Sequence, residues 1–110
     1  MNTSYFAKSG HHPKAVAIVE FAPRFYKGKV YPKLAPKPWF LRKYRKDRDE
    51  VFYTQYYCKE VLDKLDAKKV YEELGADAVL ICWEGVGKFC HRHIVAKWLS
   101  AELGVEITEL

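Results

Sequence analysis

Two short apolar runs, each ended by a glutamate, constrain this chain more than any other feature in it. Ala15–Val19 (Ala-Val-Ala-Ile-Val) stops at Glu20, and Ala78–Trp83 (Ala-Val-Leu-Ile-Cys-Trp) stops at Glu84. Runs of this length, rich in β-branched residues and without polar alternation, are expected as strands covered on both faces. Such strands belong to parallel sheets with helices packed on them. The remaining segments supply the helices. Val51–Leu65 brings Val51, Cys58, Val61, Leu62 and Leu65 near one stripe and turns Lys59, Glu60, Asp63 and Lys64 outward. Asp66 is placed to cap a helix over Ala67–Leu74 that Gly75 stops in the left-handed conformation. Another helix runs from about Cys90 to Leu103, with Ile94, Val95, Trp98 and Leu99 inward, and closes at Gly104. A short helix over Trp39–Lys46 and a last strand over Val105–Thr108 complete the pattern. The fold class expected is α/β: a small three-layer Rossmann-like domain with a short, mainly parallel sheet and helices packed on it.

With 110 residues the chain is one domain's worth, and 49% hydrophobic content is enough for a real core, which excludes a disordered or low-complexity protein. Met1–Pro13 is polar and reads as a flexible lead-in, leaving residues 14–110 as a single α/β domain. The longest apolar stretch, Ala76–Trp83, contains Asp77 and falls far short of the roughly 20 residues that span a bilayer, so no membrane partner is expected. The first residues lack the apolar centre of a secretory signal, and the three cysteines make an odd number. A cytoplasmic protein with reduced thiols is the expectation, with Cys58 and Cys82 as small core hydrophobes.

Charge is unevenly spread. Met1–Lys46 carries 11 Lys/Arg against one acid, a formal +10, whereas Asp47–Leu110 carries 8 against 13, a formal −5. A basic half of this kind points to an anionic partner, either a phosphorylated small molecule or nucleotide, or a nucleic acid. It fits equally a solvated basic face set against the acidic helices. Pro23, Pro32, Pro36 and Pro38 mark a long loop after the first strand, and its aromatics, among them Phe25, Tyr31 and Trp39, predict an ordered one.

Parallel strands aim their carboxyl ends one way, and ligands of such sheets bind just beyond those ends. Glu20 and Glu84 therefore gather at one edge with Arg24 and with Cys90-His91-Arg92, which begins a helix. A helix start favours anions and lowers a thiol's pKa. Cys90 and His91 are the catalytic candidates, with Glu84 as a general base or as the group orienting Arg92. Arg24 and Arg92 would grip a phosphate, Glu20 would share the ligand, and Tyr31, Lys33 and Trp39 would form a lid. The bland reading makes Cys90 an ordinary helix start and Arg92–Glu84 a structural ion pair. No metal is expected. Cys82 lies within a strand, and His91 and His93 point different ways on a helix, so the soft ligands diverge. Gly85-Val86-Gly87 is a turn signal rather than a phosphate loop, and neither a dinucleotide fingerprint nor a serine nucleophile elbow occurs. No cofactor is expected.

Leu80-Ile81-Cys82-Trp83-Glu84, Phe89-Cys90-His91-Arg92-His93 and Val95-Ala96-Lys97-Trp98-Leu99 together resemble the bacterial and phage family called domain of unknown function 488. Pro23-Arg24, Tyr31-Pro32-Lys33-Leu34-Ala35-Pro36, Tyr53–Tyr57 and Val61–Leu65 resemble its upstream segments, so the likeness runs from about Ala15 to the carboxyl terminus. Glu20 departs from it, standing where many members carry a small or polar residue. The resemblance implies a compact α/β domain whose functional edge is the Cys-His-Arg helix start with Glu84 and Arg24, and implies no particular reaction.

The function expected is binding of a phosphate-bearing small molecule such as a nucleotide, with hydrolase or transferase chemistry if there is turnover. The alternatives are a nucleic-acid-binding module using Lys27, Lys29, Arg42, Lys43 and Arg45, or a protein-interaction factor using the aromatic loop.

Overall fold

The structure, a computed structural model, describes residues 1–85 and 87–110. Five parallel strands form one sheet: β1 (Asn2–Tyr5), β2 (Ala15–Ala17), β3 (Lys29–Val30), β4 (Val79–Cys82) and β5 (Thr108–Glu109), in the order β3-β2-β4-β1-β5. The helices are α1 (Phe6–Ser9), α2 (Pro38–Asp47), α3 (Glu50–Glu60), α4 (Ala67–Leu74) and α5 (His91–Leu103), with 3₁₀ turns at Pro32–Leu34 and Leu62–Lys64. The α/β class and the parallel sheet are those the apolar runs predict.

Both predicted strands lie side by side in the middle of the sheet, with Val16 opposite Leu80 and Ala17 opposite Ile81. Alternate residues serve opposite faces. Val16, Ile18 and Leu80 join Leu34, Phe40, Tyr57, Val95 and Leu99 in the larger core, beneath the long helices. Ala15, Ala17, Val79 and Ile81 face the other way, onto Phe6 and Tyr26. The second face is thus closed by one short helix and aromatic loop residues, so the outer layers are unequal.

Met1–Pro13 is not a flexible lead-in. Asn2–Tyr5 pairs along its length with Val79–Cys82 and holds β5 on its far side. Its polar sequence hides this, because the buried hydroxyls find partners inside the fold. Thr3 Oγ1 donates to Glu109 Oε1 at 2.5 Å, and the Ser4 and Ser9 hydroxyls lie 2.6 Å apart. Hydrogen bonding removes the usual cost of burying such groups.

Three smaller corrections concern the helices, the last strand and the long loop. The Val51–Leu65 stripe is wrong at its start: Val51 is 71% exposed, and Tyr53 and Tyr57 face the core, stacked one turn apart at 6.1 Å. A tyrosine buries more surface than a valine, so the aromatic face wins. The last strand is Thr108–Glu109 rather than Val105–Thr108, and β3 occupies part of the long loop. The helix over Ala67–Leu74 has the predicted bounds, with the Asp66 carboxylate accepting from the Lys68 and Lys69 amides. Gly104, at φ 67°, ends α5 in the left-handed region that favours glycine.

Candidate functional site at the switch point

From the carboxyl end of β2 the chain runs outward to β3, whereas from its neighbour β4 it returns through α5 toward β5. Adjacent parallel strands whose connections depart in opposite directions leave a crevice between them. A cavity of about 360 Å³ occupies that place. Val19, Glu20 and Phe21 line it from beyond β2, and Trp83 and Glu84 from beyond β4. Phe89, Cys90 and His91 come from the α5 start, and Pro36, Pro38, Leu41, Tyr44, Arg45 and Tyr53 from the α2–α3 side.

Two bonds hold the strand ends together. The Trp83 indole N–H donates to the Phe21 carbonyl at 3.3 Å, and the Ile18 amide donates to the Ile81 carbonyl at 3.1 Å. One wall is aromatic: the Phe89 ring lies 5.1 Å from Tyr44 and 5.2 Å from Tyr53. Burial raises the Tyr53 hydroxyl's pKa above the usual phenol range, and the Glu84 carboxylate adds to the shift.

His91 is buried, and its Nε2 lies 2.6 Å from the Ile18 carbonyl oxygen, which can only accept. That nitrogen therefore carries the hydrogen. Burial holds the imidazole pKa down at about 4, so the ring is neutral near pH 7 and Nδ1 keeps its lone pair. Nδ1 lies 3.6 Å from Cys90 Sγ. Cys90 is joined to Cys82 in a disulfide, and Cys58 is the free, partly buried cysteine. The expectation of reduced thiols thus fails for two of the three. Their separation in sequence hides the pairing, since only the crossover from β4 to α5 brings them together. The expected divergence of soft ligands holds for His93 but not for Cys82: the ligand atoms of Cys82, Cys90 and His91 lie within 4.8 Å of one another, a group that excludes His93.

Arg92 does not face the cavity. It is fully buried, and each of its five N–H groups has an acceptor. Nε and Nη2 reach the Glu109 carboxylate at 3.1 and 2.8 Å. Nη1 reaches Cys82 Sγ at 3.1 Å and the Glu84 carbonyl at 2.6 Å, and Nη2 also reaches the Gly85 carbonyl at 3.3 Å. The partner that orients Arg92 is Glu109 on β5, not the Glu84 carboxylate, and no donor is left over for a ligand. The Glu109 carboxyl would be raised by burial, but hydrogen bonds from Arg92 and Thr3 outweigh this and leave it below the ordinary carboxylate range.

Arg24 is exposed and outside the cavity lining. Tyr31 and Lys33 are drawn instead to Glu73 on α4, with the Lys33 ammonium 3.3 Å from its carboxylate. Trp39 packs on Tyr56 at 5.0 Å and is no lid. The basic group lining the cavity is Arg45, which falls at the i+4 position from Leu41 and next to Tyr44. That spacing, with Leu41 and Tyr44 themselves at i and i+3, was the signal available for it.

A parallel α/β domain with a cavity at its switch point, walled by aromatic rings and floored by a cysteine and a neutral histidine, is the class of protein defined here. A family model described as "Active DUF488-N3 subclade" matches residues 7–103, and the chain belongs to the DUF488 family. No curated protein and no solved structure matches it significantly.

Proposed function

We propose that the switch-point cavity binds a phosphate-bearing small molecule, with a nucleotide as the member of that class its walls suit best. The supporting observation is the meeting, in one cavity of about 360 Å³, of aromatic walls, the Arg45 guanidinium and the start of α5. A planar base packs against Tyr44, Tyr53 and Phe89, as flat π-systems do against aromatic rings. Arg45 and the amino terminus of α5 take the phosphate. Glu20 and Glu84 accept hydrogen bonds from ribose hydroxyls or base amino groups. If the bound molecule is turned over, Glu84 is the group placed to act as base. Cys90 acts as a nucleophile only after its bond to Cys82 is opened.

Thermal-shift titration with nucleotides carrying each of the common bases tests the reading. A fitting nucleotide at ten times its Kd raises Tm by roughly 5 °C. Arg45→Ala weakens its binding about tenfold through loss of a charge-assisted hydrogen bond. If no nucleotide shifts Tm at millimolar concentration, or if Arg45→Ala binds as wild type does, the proposal fails.

A further inference from the structure

We propose that Cys82 and Cys90 form a working thiol–disulfide couple in which Cys90 is the sulfur that exchanges with a low-molecular-weight thiol admitted to the cavity. This goes beyond the nucleotide reading and does not depend on it.

The two sulfurs have different surroundings, and that difference carries the argument. Both cysteines are buried, but Cys90 contributes to the cavity lining, whereas Cys82 lies within β4 and does not. A thiolate in the cavity therefore meets Cys90 before Cys82. The sulfur expelled by such an attack is that of Cys82, and the Arg92 Nη1–H group already points at it from 3.1 Å. A hydrogen-bonded guanidinium stabilises a thiolate and makes it the better leaving group. On the other sulfur, His91 offers an unprotonated Nδ1 at 3.6 Å, fixed by the Nε2–H bond to the Ile18 carbonyl. A reduced Cys90 donates its S–H to that nitrogen. Each sulfur thus has a partner suited to its part in the exchange.

The steps balance with a small thiol as the only co-reactant. A thiolate RS⁻ attacks Cys90 Sγ, the Cys82–Cys90 bond breaks, and its electron pair leaves on Cys82 Sγ, giving Cys90–S–S–R. A second thiolate attacks the R sulfur of that mixed disulfide, and Cys90 Sγ departs with the electron pair. The two protons lost by the thiols end on Cys82 and Cys90. Two thiols have been oxidised to RSSR, and one protein disulfide has been reduced. The reverse sequence oxidises the protein with RSSR.

Mass spectrometry of the full chain with glutathione as probe tests this, in a Cys58→Ser background that removes the third thiol. Reduced Cys82→Ser treated with glutathione disulfide is expected to accumulate one adduct, at Cys90, whereas folded Cys90→Ser takes none at Cys82. In the reduced Cys58→Ser chain with both partners intact, a short iodoacetamide pulse is expected to label Cys90 roughly tenfold or more faster than Cys82. That pulse decides the matter even if a serine variant fails to fold. Three outcomes overturn the proposal: equal labelling of the two cysteines, no labelling of either until denaturant is added, or a reduced chain that keeps a stoichiometric zinc ion and protects both.

Discussion

Arg92 carries five N–H donors and the fold engages all of them, which turns a residue that reads as a ligand clamp into a bolt between β5, the chain after β4 and α5. Arg92→Ala leaves the Glu109 carboxylate and two main-chain carbonyls without their donor. Breaking a buried pair by removing one partner typically costs about 3 kcal/mol or more. Chemical denaturation of Arg92→Ala should show a loss of that size. Glu109→Gln leaves the fully buried guanidinium without its counter-charge and should also destabilise, by about 3 kcal/mol. A full loss in Arg92→Ala with none in Glu109→Gln would show that the Glu84 and Gly85 carbonyls, rather than the carboxylate, hold the guanidinium. His91 gives a second test. Burial lowers its folded pKa to about 4 from an unfolded value near 6.5. The unfolded chain therefore takes up a proton first as pH falls. The stabilisation is complete above about pH 6.5 and is lost progressively down to about pH 4, by a few kcal/mol. His93 shifts in the same direction, again mainly by burial. Tm measured from pH 7.5 to 5 should fall for wild type and for His93→Gln, and fall much less for His91→Gln. This window lies above the range where Glu109, held low by Arg92, gains its proton.

The elements legible in the sequence are those whose burial is written in apolar side chains. β2, β4 and α5 are of this kind, and α4 was legible from its Asp66 cap and the Gly75 stop. β1 was not legible, because a strand can be central through its main-chain ladder while its side chains are polar. Asn2-Thr3-Ser4-Tyr5 has no apolar run, and the hydroxyl partners that make its burial tolerable, Glu109 and Ser9, are unreadable without the fold. The same physics hid most of the site's wiring. Glu20, Glu84, Cys90 and His91 could be placed at one edge from strand ends and helix starts, whereas the Cys82–Cys90 bond and the Arg92–Glu109 pair depend on tertiary approach. A truncation separates the two views of the amino terminus. Removing residues 1–5 deletes the strand between β4 and β5, takes Thr3 from Glu109, and opens the ladder edge of β4 to water. Such a chain should lose its cooperative thermal transition or aggregate, since an unpaired hydrophobic strand edge is an aggregation template. A dispensable lead-in would leave the transition unchanged within about 0.5 kcal/mol.

At the scale of the molecule, the formal +10 of the first half overstates the positive field that a ligand meets. Part of it is already partnered. Lys29 donates to the Glu73 carbonyl at 2.7 Å, Lys33 pairs with the Glu73 carboxylate, and Lys43 pairs with Asp47 at 2.5 Å while lying over the Phe52 ring. The Glu73 carboxyl is lowered below the usual range by hydrogen bonds from Tyr31 and then Lys33, and the Asp47 carboxyl by the one from Lys43. Arg45 remains at the cavity, with Glu20 and Glu84 opposing it in the same lining. A single nucleotide held by one guanidinium and a helix start releases few counterions, whereas a nucleic-acid strand tracked along α2 and its neighbours releases several. The two readings therefore separate in salt. A nucleotide in the cavity should lose affinity with a log–log slope of about −1 between 50 and 300 mM salt, and Arg45→Ala should flatten it. A single-stranded oligonucleotide bound through Lys27, Lys29, Arg42, Lys43 and Arg45 should show a slope nearer −3 to −4, at about −0.7 per neutralised phosphate. Fluorescence titration at three salt concentrations measures both. The steep slope, spread evenly over those five residues, would move the function from the cavity to the basic face. The shallow one, lost with Arg45 alone, keeps it at the switch point, where one cation stands beside aromatic walls and a helix start.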